Sequence, residues 1–172
     1  MRYLTGGRPM TREEIRAESF QRMLPGGFWA TQLRATGEFL GWHCLSPVED
    51  SLIEDRQVKG SQVADGRVKG NRTKDSPVNS ADLGYRLRSS AWGKGFATEG
   101  ALALVRKGFG ELGYDRIIAD TMFVNARSRR VMEKCGLSYV RTCFGEWPDP
   151  IEGADQGDVV YALTREEWLA RQ

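Results

Sequence analysis

The residues whose types and spacing best suit ligand chemistry are in WGKGFATEG at 92–100. Three glycines surround one lysine there, and an apolar stretch follows. Glycine tolerates positive φ and lets a ligand approach the backbone closely. The first N–H groups of a helix lack intrahelical partners and carry partial positive charge, which suits a phosphate. The segment therefore predicts phosphate binding at a helix start, to which Lys94 adds charge. Tight packing of a strand against the helix is the alternative explanation of the glycines.

Two common phosphate-binding loops do not match this segment. A P-loop requires a serine or threonine after its lysine, and the sequence has glycine there. The dinucleotide fingerprint Gly-x-Gly-x-x-Gly fails at its third glycine, because residues 93–98 read GKGFAT. A different phosphate-binding geometry is therefore expected.

A second polar pattern, NARSRRVMEKCG at 125–136, starts another predicted helix. Asn125 is placed either as the N-cap of that helix or as a ligand-binding amide at the end of the preceding strand. Ser128 lies one helical turn further on, either as an exposed helix residue or as a hydroxyl directed at a ligand. Both roles of Asn125 are compatible with each other.

Alternating strands and helices position these motifs. Strands are predicted in DLGYRLRS, DRIIADTMF, LSYVRTCFGEW and GDVVYALT, and a helix in ATEGALALVRKGFGELG, with Leu102, Val105, Phe109 and Leu112 on its apolar side and Gly113 after its end. Near the N-terminus, TREEIRAESFQRML predicts a helix capped by Thr11, and GFWATQLRATGEFLGWHCL predicts two strands around a turn at 35–37.

Residues 46–81 differ in composition, with mixed charge, several turn residues and no aromatic side chain. They predict a polar insertion that forms a hairpin or a mobile loop. It is interpreted as a solvated loop without function, as a flap over an acceptor site, or as a contact between subunits.

The composition of the chain limits the classes of partner, metal site and cellular location that we expect. The 172 residues suffice for one domain, and a net charge of +2 is too small to favour nucleic acid or an anionic membrane as partner. One histidine and three cysteines without metal-like spacing predict no metal site. The sequence shows neither a membrane-spanning run of ~20 apolar residues nor a signal-peptide core, so we expect a cytoplasmic protein.

The two motifs together resemble the GNAT family of acyl-CoA-dependent N-acyltransferases, most closely its RimJ/RimL-like branch. The family loop Gln/Arg-x-x-Gly-x-Gly/Ala aligns with residues 92–97, with Trp92 replacing Gln or Arg, a departure familiar in that branch. The family's Asn-x-x-Ser, followed by Glu-Lys-x-Gly, appears as Asn125, Ser128 and residues 133–136. The resemblance covers 82–168 well and 1–45 plausibly.

The resemblance implies a single α/β (α+β) domain over 1–172, with a mixed, mostly antiparallel central sheet that contains splayed strands and is flanked by helices. The usual first strand and helix of the family are not apparent, which would expose a sheet edge and favour a homodimer. Acetyl-CoA is the implied co-substrate, without a metal. The acceptor would be a primary amine on a small molecule or a peptide.

The family resemblance also implies the site. The pantetheine arm would lie between the splayed strands and pair with the backbone near Leu87 and Ser89, and the pyrophosphate would bind amides of residues 93–98. Asn125 would hydrogen-bond the pantetheine or a water, and Ser128 would protonate the leaving thiolate. The implied CoA-binding residues are Leu87, Ser89, Trp92, Gly93, Lys94, Gly95, Phe96, Ala97, Thr98, Asn125 and Ser128.

The chemistry requires a base, because an ammonium with a pKa of ~10.4 is a poor nucleophile at neutral pH. We predict that Asp82 serves as this base, since it precedes LGY, where many relatives carry a glutamate. Glu38, His43 and Glu99 are further candidates, each with a structural explanation: a hairpin position, a core position and the first turn of a helix. Tyr85 is placed to face either the acyl group or the core.

These observations predict an N-acetyltransferase that uses acetyl-CoA and a primary amine, either a protein N-terminus or a small amine. The alternatives are a non-catalytic acyl-CoA-binding module and a structural domain whose glycines only pack.

Overall fold

A computed structural model of the chain describes residues 11–20, 23, 26–48, 79–145 and 151–172. Its centre is a six-stranded sheet with the order β1-β2-β3-β4-β6-β5, in which only the β3–β4 pair is parallel among the described pairings. The mixed, mostly antiparallel sheet predicted from the sequence is confirmed. The strands are β1 Phe28–Gln32, β2 Phe39–Val48, β3 Ser80–Leu87, β4 Arg116–Met122, β5 Ser138–Cys143 and β6 Asp158–Thr164.

Three helices of the described part of the chain contact this sheet, α2 Phe96–Gly110, α3 Ala126–Lys134 and α4 Arg165–Leu169. Before them in the chain, α1 covers Arg12–Glu14 and continues as a π-helix over Ile15–Phe20. Single 3₁₀ turns cover Ser89–Ala91 and Ala154–Gln156. Among the described residues, no helix combines the length and apolar composition that crossing a membrane would need.

Two helices start with the same four residues, Thr-Arg-Glu-Glu, at 11–14 and 164–167. In each copy the threonine hydroxyl accepts from the N–H three residues on, and the glutamate there accepts from the threonine N–H. The capping role predicted for Thr11 is confirmed. The second capping box forms α4, which the sequence analysis did not predict although its signal was present.

The β1–β2 hairpin is confirmed, with Phe28 opposite Cys44 and a turn between the strands. The polar segment predicted at 46–81 was too long at both ends. Ser46 pairs with Asp82 and Val48 pairs with Ser80, so β2 and β3 extend into it. The rest of that segment, residues 49–78, lies outside the described residues. The expectation that the family's usual first strand and helix are missing before the N-terminal region stays a prediction.

The main core lies between one sheet face and helices α2 and α3, and includes Leu45, Leu83, Val105, Phe109, Met132 and Tyr161. The prediction that Leu112 belongs to the apolar side of α2 was wrong, because α2 ends at Gly110 and Leu112 is 44% exposed. Gly113 takes a φ of +71°. The chain turns back there, so that Tyr114 becomes buried and its N–H bonds to Gly108 O.

Strands β3 and β4 separate after a short contact. They pair only from Ser80–Asp82 against Arg116–Ile118, whereas β4 remains paired with β6 as far as Met122. Splayed strands, expected from the family resemblance, are therefore present. The resulting gap between the C-terminal halves of β3 and β4 is called the strand gap below.

Candidate active site

The strand gap is bordered by the backbone of two strands that no longer pair with each other. Arg88 N–H donates to Leu40 O of β2, so by alternation along β3 the N–H and C=O groups of Leu83, Tyr85 and Leu87 point toward the gap. On β4, Phe123 N–H donates to Gly157 O, which by the same alternation turns the backbone groups of Asp120 and Met122 toward the gap, where Met122 O accepts from Asn125 N–H. An extended chain could therefore add between the two strands, as peptides do at open sheet edges.

Trp92 forms hydrogen bonds at the C-terminal end of β3. Its indole N–H donates to Leu87 O at 2.7 Å, and its backbone N–H donates to Ser89 O at 3.1 Å. Leu87 and Ser89 are the two residues expected to pair with a pantetheine arm, and both carbonyl oxygens are thus engaged within the protein. Ser89 lies in the 3₁₀ turn rather than in β3. Pairing through these residues stays a prediction. The strand alternation also turns the backbone groups of Leu83 and Tyr85, which the sequence analysis did not name, toward the gap.

The loop glycines are not packing residues. Gly93 and Gly95 have φ values of +74° and +88°, and a Cβ built on either would meet no atom within 4 Å. By contrast, a Cβ on Gly100 would lie 2.4 Å from the His43 ring, and one on Gly108 would lie 2.9 Å from Ile117. The interpretation of the glycines as tight strand–helix packing is therefore wrong for Gly93 and Gly95, and it is confirmed for Gly100, the third glycine of the segment. The backbone conformation of Gly93 and Gly95 requires glycine, and the space in front of these two residues is open.

The first backbone N–H groups of α2 have no hydrogen-bond acceptor within the helix. Gly95 is its N-cap and supplies no side chain, and the first helical bond runs from Glu99 N–H to Gly95 O at 2.9 Å. The N–H groups of Phe96, Ala97 and Thr98 therefore precede the helical ladder and have no intrahelical acceptor. Together with exposed Lys94 they form a site of positive potential beside the strand gap, which suits a pyrophosphate.

Two arginine–aromatic pairs flank the same region, and the sequence analysis missed both. The Arg127 guanidinium lies 5.8 Å from the centre of the Trp92 ring, and that of Arg129 lies 4.6 Å from the centre of Phe123. Trp92 is 50% and Phe123 is 40% exposed. Trp92 follows β3 and Phe123 follows β4. The two pairs therefore bring positive charge to the C-terminal ends of both strands that border the strand gap.

Asn125 is the N-cap of α3, as one of its two predicted roles required. Its Oδ1 accepts from Ser128 N–H at 3.3 Å, and its Nδ2 donates to Thr121 Oγ1 at 3.0 Å. These bonds tie the start of α3 to the end of β4. Contact between Asn125 and a pantetheine arm stays a prediction.

Ser128 is joined to β3 across the strand gap. Its Oγ lies 2.9 Å from the Tyr85 hydroxyl, which also donates to Ser128 O at 3.1 Å. Burial raises the pKa of Tyr85 to about 12, although the bond to Ser128 acts in the opposite direction. The tyrosine therefore keeps its proton at neutral pH.

His43 is a core residue and not an accessible base. It is only 3% exposed, and its Nδ1 and Nε2 lie 2.7 Å from Thr31 Oγ1 and 3.3 Å from Ala97 O. A carbonyl can only accept, so Nε2 carries the proton and Nδ1 accepts from the threonine hydroxyl. Burial lowers the pKa of His43, against a smaller opposing effect of the Ala97 carbonyl.

The three carboxylates that are candidates for the base lie at different positions. Glu38 is exposed and forms a salt bridge with Arg88, and Glu99 is exposed in the first turn of α2. Asp82 is half-buried at the last position where β3 pairs with β4, opposite Ile118, and the strand gap begins there.

Asp82 lies on the sheet face opposite α2 and α3. Its neighbours Ala81 and Leu83 belong to the core under those helices, so strand alternation turns Asp82 the other way. Cys44 shares that face, and its thiol pKa is raised to about 11 by burial and additionally by the Asp82 charge. Asp82 and the Tyr85–Ser128 pair therefore lie on opposite sides of the sheet, with the strand gap between them.

Comparison with known proteins identifies the family of the chain. A family model described as an acetyltransferase (GNAT) domain matches residues 1–138. The chain belongs to the GNAT acetyltransferase family. It is 35% identical over 178 residues to the FsC-acetyl coenzyme A-N(2)-transacetylase of Aspergillus fumigatus, covering all of this chain and 67% of that protein. It is also 32% identical to the N-acetyltransferase YnaD of Bacillus subtilis, over 51% of this chain and 50% of that one.

Solved structures share the fold of this GNAT acetyltransferase. A GNAT acetyltransferase from Bacillus anthracis matches with a TM-score of 0.64 at 21% identity, over 97% of this chain and 82% of that one. Spermidine N-acetyltransferase from Vibrio cholerae, in complex with CoA and spermine, matches with a TM-score of 0.63 at 14% identity, over 95% and 82%. The protein is therefore an acyl-CoA-dependent acetyltransferase, and the interpretations as a non-catalytic module or a structural domain are not retained. Placement in the RimJ/RimL-like branch stays a prediction.

Acetyl-CoA fits the residues that this chain provides. The loop glycines leave open space, the α2 amides supply donors, and the strand gap supplies sheet-edge groups. Within ranges 11–20, 26–48, 79–145 and 151–172, no group of three or more His, Cys, Asp or Glu is placed to hold a metal ion.

Proposed function

We propose that the protein transfers the acetyl group of acetyl-CoA to the primary amine of a small molecule. The observation that carries the proposal is the strand gap, which ends beside the open glycine loop at the start of α2. The choice of a small amine over a protein N-terminus is supported by the A. fumigatus relative, which is named for transfer to an N(2) nitrogen and aligns along the whole chain. The V. cholerae neighbour, named for spermidine, agrees with that choice.

In this proposal acetyl-CoA occupies the gap and the loop together. The pyrophosphate lies on the amides of residues 93–98, where Lys94 and the α2 N-terminus favour negative charge. The pantetheine arm pairs with the gap-facing backbone of Leu83 and Tyr85 and with the N–H of Leu87. Asn125, already bonded to Thr121, keeps its second Nδ2 hydrogen for the arm or for a water.

Two groups of this chain act on the proton and on the sulfur. Asp82 takes the proton of the attacking ammonium, directly or through a water, from the sheet face opposite α2 and α3. Ser128 directs its hydroxyl at the departing sulfur from the helical side. Gap-facing N–H groups of β3 are placed to stabilise the carbonyl oxygen as it gains charge. Acetyl-CoA itself supplies an activated carbonyl and a leaving thiolate whose thiol has a pKa of ~8.5.

The test is a thiol-release screen, in which acetyl-CoA is incubated with diamines, polyamines, amino acids with side-chain amines, and short peptides with free N-termini. We expect acceptor-dependent release of CoA with small amines, and mass spectrometry should show one acetyl group added to the acceptor. Turnover of peptides alone would overturn the small-amine proposal while keeping acetyl transfer. No release with any acceptor would overturn the proposed function. A cytoplasmic location and a homodimer remain predictions.

A further inference from the structure

We infer that Tyr85 is a positioning residue that turns the Ser128 hydroxyl toward the leaving sulfur. This inference rests on the proposed acetyl transfer and deepens it, because it assigns a second residue to the departure of CoA. It is carried by the contact between the two side chains, whose residues are 43 positions apart in the chain.

The contact is held from both sides. Tyr85 is half-buried on β3, where its ring lies 5.9 Å from that of His43 and packs against the main core. Ser128 is fixed in the first turn of α3 by the Asn125 cap. The Tyr85 hydroxyl then lies within hydrogen-bond distance of both the Oγ and the carbonyl oxygen of Ser128. Neither side chain needs to move for the bond to form.

The contact between Tyr85 and Ser128 controls the direction in which the serine hydroxyl hydrogen points. Each hydroxyl has one hydrogen, so two arrangements satisfy the geometry. When Tyr85 donates to Ser128 O, the Ser128 hydroxyl donates to Tyr85 and its hydrogen points away from a ligand. When Tyr85 donates to Ser128 Oγ instead, the serine hydrogen is free to bond to sulfur. Negative charge developing on sulfur selects the second arrangement, and the bond from Tyr85 makes the serine a stronger donor.

The pair stabilises the thiolate by hydrogen bonding, whereas the family resemblance implied that Ser128 would protonate it. Burial holds the pKa of Tyr85 at about 12, above that of a thiol at ~8.5, so moving the tyrosine proton to sulfur would be unfavourable. The carbon–sulfur bond breaks with its electron pair on sulfur, the amine nitrogen takes the acetyl carbon, and the thiolate gains its proton from solvent after release.

A double-mutant cycle tests the inference. Tyr85→Phe should lower kcat about 5- to 10-fold, the worth of about one hydrogen bond. The KM for acetyl-CoA should change less than twofold. In a Ser128→Ala background the same substitution should cause no further loss of kcat, because the group on which Tyr85 acts is gone. Each rate is measured as acceptor-dependent thiol release and as acceptor-free hydrolysis of acetyl-CoA, which expels the same sulfur.

Tyr161→Phe is the matched control. The Tyr161 hydroxyl donates to Glu133 and accepts from Arg129, so it also joins the sheet to α3, but without touching Ser128. Its loss should alter the melting temperature without a selective loss of kcat. Independent losses for Tyr85→Phe and Ser128→Ala, or an unchanged kcat in Tyr85→Phe, would overturn the inference. Absence of thiol release from the wild type with every acceptor would instead overturn the proposed function.

Discussion

The His43 imidazole occupies a notch in α2 that exists because residue 100 is glycine. A Cβ at Gly100 would lie 2.4 Å from both Cε1 and Nε2 of the ring. The same ring bonds to Thr31 on β1 and to the Ala97 carbonyl in the first turn of α2. His43 therefore fixes the position of the helix whose N-terminal amides form the proposed phosphate site.

Gly100→Ala should destabilise the fold, because the added methyl must displace the ring or the helix. Overpacking of this kind costs about 1–3 kcal/mol. Gly110→Ala, at the other end of α2 where a Cβ meets nothing, is the control and should stabilise by up to ~1 kcal/mol through helix propensity. Urea denaturation compares the two variants. Equal effects of the two substitutions would show that the notch has no energetic role.

His43 should also make stability depend on pH. The pKa of the folded imidazole is lowered by burial, whereas the unfolded value is ~6.5. Below pH ~6.5 the unfolded chain therefore binds a proton that the folded protein does not, so the free energy of unfolding should fall on acidification, by at most ~1.4 kcal/mol per pH unit.

The comparison for this prediction is His43→Gln, whose amide can replace Nε2 as the donor to Ala97. Because the chain has a single histidine, the difference in pH slope between the two proteins from pH 7 to 5.5 isolates this group. Denaturation at a series of pH values gives the slopes. A wild-type slope no steeper than that of His43→Gln would contradict a buried, neutral imidazole.

Asp82→Asn should lower kcat by ~10²-fold or more at pH 7, since the amide cannot accept the ammonium proton. The loss should shrink at high pH, where more of the acceptor amine is already deprotonated. Glu38→Gln, which breaks the exposed pair with Arg88, is the control and should retain kcat. Full activity of Asp82→Asn at pH 7 on a turned-over acceptor would remove Asp82 as the base.

The sequence predicted much of the framework because the signals were local. The glycine loop, the Thr11 cap and the helix at 126–134 each depend on residues within one or two turns. The second Thr-Arg-Glu-Glu box carried an equally local signal for α4, which was overlooked because it directly follows a strand. The position of Leu112 failed because the chain turns at Gly113, which continued helical periodicity does not show.

The site itself depended on distant contacts that the sequence does not display. Strand splaying was expected only from the family resemblance, because no local pattern distinguishes the paired half of β3 from the unpaired half. Burial of His43 requires Gly100, 57 residues later, and the Tyr85–Ser128 bond joins a strand to a later helix. The engagement of the Leu87 carbonyl by Trp92 likewise depends on a side-chain orientation.

The most direct test of acetyl-CoA binding at the glycine loop is calorimetric titration of acetyl-CoA into the wild type, Gly95→Glu and Gly113→Glu. Both glycines have positive φ and open space at the Cβ position, but only Gly95 lies at the start of α2, so the backbone strain of the two substitutions is matched. Gly95→Glu places a carboxylate where the pyrophosphate is proposed to lie, and should weaken binding at least 100-fold, whereas Gly113→Glu should bind as the wild type does. Wild-type affinity in Gly95→Glu, or equal losses in both variants, would contradict the account.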